Sequence, residues 1–354
     1  MKIDAFVNDS GFSDIQRQAR LAELAGFDGV AFPEITGDPI VSAAIASTVT
    51  ERATVRTAIA VAFPRSPMTV AEAAWQVHEG SNGRFVLGLG TQVKGHNERR
   101  FSVPWTAPYP RLRDYVWALR AIWRSWRTGE RLNFESQHYN HTLMTPEFTP
   151  ATSGHGPIPI HTAAVRPAML RLAGRVADGV RLHGFCTRKY LDAEVSPNLQ
   201  AGLDRVDRPR EAFEVCGGGF IATGPDEETV AKRLEWIRYR IAFYGSTRTY
   251  HPVLSAHGWD DLGAKLHAMS KQGQWRQMAA EISDDVVREF AAVATWDGLA
   301  KEVQRRFGGY SDRVELFAPA SEAEANALKD VLQDVRKIPA TFDGRAFEAP
   351  IGGK

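Results

Sequence analysis

Residues 54–89 read Thr54-Val-Arg-Thr-Ala-Ile-Ala-Val-Ala62, Phe-Pro-Arg, Ser66-Pro67-Met-Thr-Val-Ala-Glu-Ala-Ala-Trp-Gln-Val-His78, Glu-Gly-Ser-Asn-Gly-Arg, Phe85-Val-Leu-Gly-Leu89. Two apolar runs flank a segment that opens with serine at a capping position and proline at the first helical position. The stretch therefore predicts strand, helix, strand, and such alternation favours a parallel sheet.

The same rhythm extends in both directions. Upstream, Ile3–Val7 and Gly29–Phe32 read as strands. Ser13 is placed to cap a helix, with Gln16 closing a capping box and Ile15, Ala19, Ala22 and Leu24 as its apolar stripe; Gly26 ends it. Asp38-Pro39 opens a second helix running to about Glu51. Downstream come strands Ile158–Ala164, Gly179–Leu182, Phe213–Ala222 and Arg313–Phe317. They alternate with helices Pro167–Val176, Thr187–Gly202, Asp226–Tyr244 and Ser321–Arg336. The pattern alone is compatible with a doubly wound sheet or a closed barrel. Eight strand–helix units in one chain of 354 residues predict the α/β class as a (β/α)₈ TIM barrel.

The expected barrel domain covers residues 1–337, with insertions after the fourth and seventh strands at about 93–156 and 245–311. A C-terminal arm spans 338–354. The first insertion carries a helix, Arg111–Arg127, whose Trp117, Arg120, Trp123, Arg124 and Arg127 suit a docked helix or dimer face. Such insertions usually wall the C-terminal face of a barrel.

Composition excludes several classes. Hydrophobic residues are 44% and charged residues 24%, a balance that favours a packed core over disorder. Lys+Arg total 43 against Asp+Glu 42, so the electrostatic footprint of a nucleic-acid binder is missing. Cys186 and Cys216 have neither C-x-x-C spacing nor a nearby ligand set, which predicts reduced thiols and no metal site. The start, Met1-Lys2-Ile3-Asp4, reads as a first strand, and no apolar run approaches the ~18 residues of a membrane span. We expect a cytoplasmic homodimer acting on a small-molecule substrate, with no nucleic-acid or membrane partner.

Three segments carry a resemblance: N-G-R-F-V-L-G-L-G-T-Q-V-K-G-H-N-E at 82–98, T-A-I-A-V-A-F-P-R-S-P at 57–67 and A-A-V-R-P-A-M-L-R-L-A-G-R-V-A-D-G at 163–179. In this order they resemble the bacterial luciferase-like superfamily over about residues 1–335, and within it the branch that uses the deazaflavin coenzyme F420. The flavin-mononucleotide branch often carries Asn-x-Val-Thr-Ser at the fourth strand, where this chain has Gly88-Leu-Gly90-Thr91-Gln92. The resemblance implies a luciferase-like barrel and an oxidoreductase that moves a hydride between deazaflavin and an organic molecule. An FMN-dependent monooxygenase is the alternative, and a non-catalytic flavin- or deazaflavin-binding barrel is a third reading.

Candidate site residues follow. Gly88 and Gly90 end a strand, where glycine lets a ring or backbone approach closely or lets the strand bend; the resemblance adds Thr91 beside them. It also implies a non-proline cis peptide bulge at Ala58, Ile59 and Ala60, behind the cofactor ring. Arg166-Pro167 opens a helix whose free amides suit an anion. The resemblance places the cofactor phosphate there, on Ala163, Ala164, Val165 and Arg166, although Val165-Arg166 stands where the family often has Gly-Gly. His183, Arg188 and Lys189 lie where a polyanionic tail would pass, or are ordinary surface residues. Glu34, in Phe32-Pro33-Glu34, is the expected catalytic acid if burial disfavours its charged form; it could equally cap a helix or pair with an arginine. Asp38 reads as a helix cap. The run from Ala242 to His251 is either a substrate wall or a helix end with Gly245 as its C-cap.

Overall fold

A computed structural model of the chain describes residues 1–8, 11–152, 154–345, 347 and 351–352. Eight strands run parallel in one sheet: β1 (Lys2–Phe6), β2 (Gly29–Phe32), β3 (Thr54–Thr57, resuming at Ala60–Val61), β4 (Phe85–Gly90), β5 (Ile160–Ala164), β6 (Gly179–Leu182), β7 (Glu214–Gly217) and β8 (Arg313–Phe317). Each pairs with its chain neighbours, and β1 pairs with β8 from Lys2↔Arg313 to Phe6↔Phe317. β7 meets β8 through Cys216↔Arg313, so the sheet closes into a barrel. Strands sealed on one side by helices and on the other by the barrel interior read as largely apolar runs. All six residues of β4 are buried accordingly.

Helices α1 (Phe12–Ala25), α2 (Pro39–Ser47), α3 (Pro67–Gly80), α4 (Pro108–Thr128), α5 (Pro167–Val176), α6 (Ser196–Asp204), α7 (Glu227–Gly245), α8 (Trp296–Phe307) and α9 (Glu322–Arg336) complete the frame described here. Several boundaries differ from expectation for local reasons. α1 starts one residue before Ser13, because Gly11 is already extended and accepts from the Ile15 N–H at 2.9 Å; Ser13 caps nothing. Asp38 does cap α2, but that helix stops at Ser47 rather than near Glu51. α4 is docked as expected: Trp117 and Trp123 are buried, and Arg120 Nη2 donates to both oxygens of Asp178 at 2.9 Å. Both cysteines are free and buried.

The larger correction concerns the seventh strand. The expected strand Phe213–Ala222 breaks at Gly217 and Gly218, whose φ angles of 76° and 98° turn the chain away from the barrel. It resumes as Phe220–Gly224, paired in parallel with Ala291–Thr295. The second excursion therefore begins at these glycines, not near residue 245. The expected arm from Ile338 is tied down at its start: Ile338 is buried, and the Thr341 and Phe342 amides each donate to Asp312 Oδ1 at 2.8 Å. Residues 346, 348–350 and 353–354 of that arm lie outside the described residues. Among the described residues no helix is long and apolar enough to cross a membrane.

Inside the barrel, toward the strand N-termini, lies a buried charged layer. Arg313 bonds Asp4 and, at 2.9 Å, Glu214, while Arg56 reaches Glu214 at 3.0 Å. Removing one member of such a network leaves an uncompensated buried charge, at a cost of ~3–5 kcal/mol.

Candidate active site

Barrel sites are built at the carboxyl ends of strands. At the end of β3 the peptide bond Ala58–Ile59 is cis, and the strand resumes at Ala60. β4 accommodates this step through its glycines. A Cβ on Gly88 would lie 2.1 Å from the Thr57 carbonyl oxygen, and one on Gly90 would lie 2.6 Å from Ile59 Cδ1 and 3.5 Å from Ala163 Cβ. Thr57 Oγ1 donates to Gly88 O at 2.7 Å and accepts from Gly88 N at 2.8 Å. The close approach that these glycines permit is thus made by β3 itself. Ile59, Gly90 and Ala163 are brought together as small or apolar groups, whereas Ala60 and Ala164 are buried.

Glu34 follows β2 and faces this step. Its Oε2 accepts from the Val61 N–H at 2.7 Å and from Arg65 Nη1 at 2.9 Å, while Arg65 also donates to Val61 O at 2.8 Å. Glu34 and Arg65 together hold both backbone polar groups of Val61. Arg65 Nη2 reaches Asp38 Oδ2 at 2.6 Å, and Asp38 Oδ1 caps Ile40 N at 2.8 Å. Burial works against the Asp38 charge, but the bond and charge of Arg65 outweigh it and hold the carboxyl below its ordinary value. Of the readings open for Glu34, the structure shows the pairing with an arginine: the side chain is buried and Arg65 shares the site. Sequence reasoning missed Arg65, although it sits within the quoted Phe-Pro-Arg-Ser-Pro run, opposite two carboxylates. It also missed Arg111, which stacks 4.4 Å from the Phe63 ring and donates to the Phe63 carbonyl.

Thr91 lies half-buried beyond β4, its carbonyl accepting from Asn97 Nδ2 at 2.9 Å. Asn97 is fully buried with Oδ1 unpartnered, a feature that nothing in the sequence marked. Arg166 is the exposed N-cap residue of α5, and no side chain caps that helix, so its first-turn N–H groups face outward with the positive end of the dipole. The Val165 carbonyl accepts from Tyr190 OH at 3.2 Å. Arg188 is already engaged, with Asp192 at 3.1 Å and the Gly308 carbonyl at 3.0 Å; Lys189 is exposed.

His183 extends from β6 into an aromatic nest. Its Nδ1 accepts from the Phe185 N–H at 2.9 Å, which puts the proton of the neutral ring on Nε2. Tyr244 and Tyr250 lie 4.3 and 4.9 Å away, centroid to centroid. Burial, assisted by the charge of Arg240, pushes the imidazole down to about 4, so at neutral pH it is a neutral N–H donor.

One further cluster sits away from the mouth. Single ligand atoms of His161, Glu214 and Cys216 lie within 4.8 Å of one another. Arg56 and Arg313 already pair with Glu214, and the Arg181 charge acts on Cys216, so the local field opposes a bound cation.

Comparison with known proteins agrees with this architecture. Residues 2–312 match the family described as luciferase-like monooxygenase. An uncharacterized protein of Mycobacterium tuberculosis is 43% identical over 317 residues, covering 89% of this chain and 92% of that one. An F420-dependent glucose-6-phosphate dehydrogenase of Intrasporangium calvum is 27% identical over 266 residues, covering 73% and 71%. Among solved structures, the coenzyme F420 dependent tetrahydromethanopterin reductase from Methanopyrus kandleri superposes with a TM-score of 0.73 at 16% identity, covering 95% and 98%. A type II Baeyer-Villiger monooxygenase of Pseudomonas putida in complex with FMN superposes with a TM-score of 0.64 at 16% identity, covering 96% and 97%.

Proposed function

The chain belongs to the luciferase-like monooxygenase family, and we propose that it is an oxidoreductase that transfers a hydride between deazaflavin F420 and a small organic substrate. The observation that carries this reading is the barrel mouth itself. Its half-buried Ala58, Ile59 and Ala163 meet over Gly90 as an apolar surface, as a tricyclic ring requires. The uncapped α5 N-terminus with Arg166 beside it suits a phosphate. The sequence Gly88-Leu-Gly90-Thr91-Gln92 and the F420-dependent dehydrogenase relative support deazaflavin over FMN.

In this reading the bound deazaflavin supplies the hydride chemistry, and the protein supplies placement, exclusion of water and a proton. Ile59 backs the ring. Glu34 and Arg65 hold Val61, and with it the step in β3. With Nδ1 taken by the Phe185 N–H, His183 would offer its Nε2–H as a neutral donor to a tail or substrate oxygen. Glu34 reaches the β3 step through Oε2, and its Oε1 carries neither of the bonds that fall on Oε2.

Fluorescence titration with F420 and with FMN tests the cofactor. Deazaflavin should bind at least tenfold more tightly, and Arg166→Ala should weaken it by ~1–3 kcal/mol. Equal or reversed affinities would give the site to an FMN-dependent monooxygenase. Tight binding with no redox cycling across a panel of acceptors would make it a binding protein.

A further inference from the structure

Helix α7 has two apolar faces. Val230, Ile237, Ile241 and Ala242 are buried against the strand pair and the second excursion, as a surface helix requires. The other face carries Trp236, Tyr239, Arg240 and Phe243 at helical spacing, and this face is open. Trp236, Tyr239, Phe243, the neighbouring Trp275 and Phe317 are each 36–43% exposed. Uncovered aromatic groups on this scale mark a binding surface.

The ledge is continuous with the barrel mouth at two points. Phe317, the last residue of β8, lies 5.6 Å from Trp236 and 6.1 Å from Phe6, the last residue of β1. At the other end Tyr244 packs edge-on to His183, beyond β6, at 4.3 Å. Between them Arg240 lies 5.4 Å from the Trp236 ring and 5.0 Å from the Tyr244 ring, and its Nη2 donates to Tyr244 OH at 2.6 Å. Its Nε is buried without a partner. No carboxylate among the described residues forms an ion pair with it, whereas Arg238 on the same helix holds Glu235 and Asp284. A guanidinium set between aromatic faces and left without a counter-charge is arranged for a ligand that brings both a ring system and an oxygen acceptor.

We propose that this ledge is the outer wall of the substrate pocket and selects a flat aromatic or polycyclic molecule bearing an oxyanion, seated with its rings on Trp236, its edge against the near-perpendicular Phe317 and its oxygen on Arg240. The proposal rests on the mouth being the reaction site, and it names the substrate class for that site. A purely aliphatic acid would satisfy Arg240 but leave the rings uncovered. A neutral polycycle would do the reverse.

The test uses anthracene-2-carboxylate as probe, with 2-(hydroxymethyl)anthracene and decanoate as comparators, titrated against the full chain by fluorescence. Anthracene-2-carboxylate should bind saturably and at least tenfold more tightly than either comparator. Arg240→Gln should bring the carboxylate to the affinity of the alcohol while leaving the alcohol unchanged, and Arg240→Lys should restore part of the difference. Trp236→Ala and Phe317→Ala should weaken both anthracenes several-fold. Equal affinities for all three probes, or no effect of the Trp236 substitution, would overturn the proposal. So would displacement of the probe by F420 or FMN, which would make the ledge part of the cofactor seat. If the ledge variants break an oligomer without altering probe affinity, the face belongs to a second copy and the proposal fails. Because the titration needs no cofactor, a failed F420 titration leaves these results standing, and the two ideas fail separately.

Discussion

Glu34 shows how a residue can be placed on its strand from sequence while the choice among its partners waits for the structure. Its position at the end of β2 was readable from the strand pattern; its pairing with Arg65 was one of two bland alternatives. The pairing matters because Oε2 serves Val61 and Arg65 together. Glu34→Gln keeps the shape but loses the charge that Arg65 meets, so the β3 step should loosen. We expect cofactor affinity to fall about tenfold with turnover, a loss at the lower end of the ~1.5–3 kcal/mol that a hydrogen bond to a charged group contributes. Titration and steady-state kinetics on the same variant separate the roles. Turnover reduced ~10²–10⁴-fold at unchanged affinity would make Glu34 the acid and nothing more.

At the scale of elements, the chain announced its own architecture where side chains alternate with caps and turns. Asp38-Pro39, Ser66-Pro67 and Ser321 all begin helices as read, because a side-chain oxygen and a preset φ act locally. The readings that missed depended on distant groups. Gly217 and Gly218 break β7 because the chain must leave the barrel to pair with Ala291–Thr295, seventy residues on. The role of Gly88 was half legible: glycine signalled close approach, but the approaching group comes from another strand. Gly88→Ala would put a methyl 2.1 Å from the Thr57 carbonyl oxygen, inside a pair of hydrogen bonds that cannot both survive. We expect at least ~3 kcal/mol of destabilisation, the upper range of overpacking, read as a lower urea midpoint with the slope unchanged. A loss below ~1 kcal/mol would mean that β3 moves aside freely and that the step is soft.

For the whole molecule, closure of eight strands was countable from sequence, but the charged barrel interior was not, since Asp4, Arg56, Glu214 and Arg313 come from four separate strands. That interior and the mouth also set how stability responds to pH. Burial pushes His161, despite the opposing charge of Glu214, and His183 down to about 4, and pushes the thiols of Cys186 and Cys216 up to about 12. In the unfolded chain the same groups titrate near their ordinary values, about 6.5 for His and 8.5 for Cys. Between about pH 4 and 6.5 the unfolded state binds protons that the native state refuses, so stability rises with pH across that window. Above about 8.5 the unfolded thiols lose protons that the native state keeps, so stability falls again. The expected curve has a plateau from about 6.5 to 8.5, with limbs that approach ~1.4 kcal/mol per pH unit for each group. Urea midpoints measured from pH 5 to 10 check the shape, and Cys216→Ala should flatten the alkaline limb by about half below pH 10, where tyrosines enter. Imidazole resonances give the independent readout: two histidines should stay neutral down to about pH 4. If all ten titrate near 6.5, the buried pair is open to water and the acid limb has another cause.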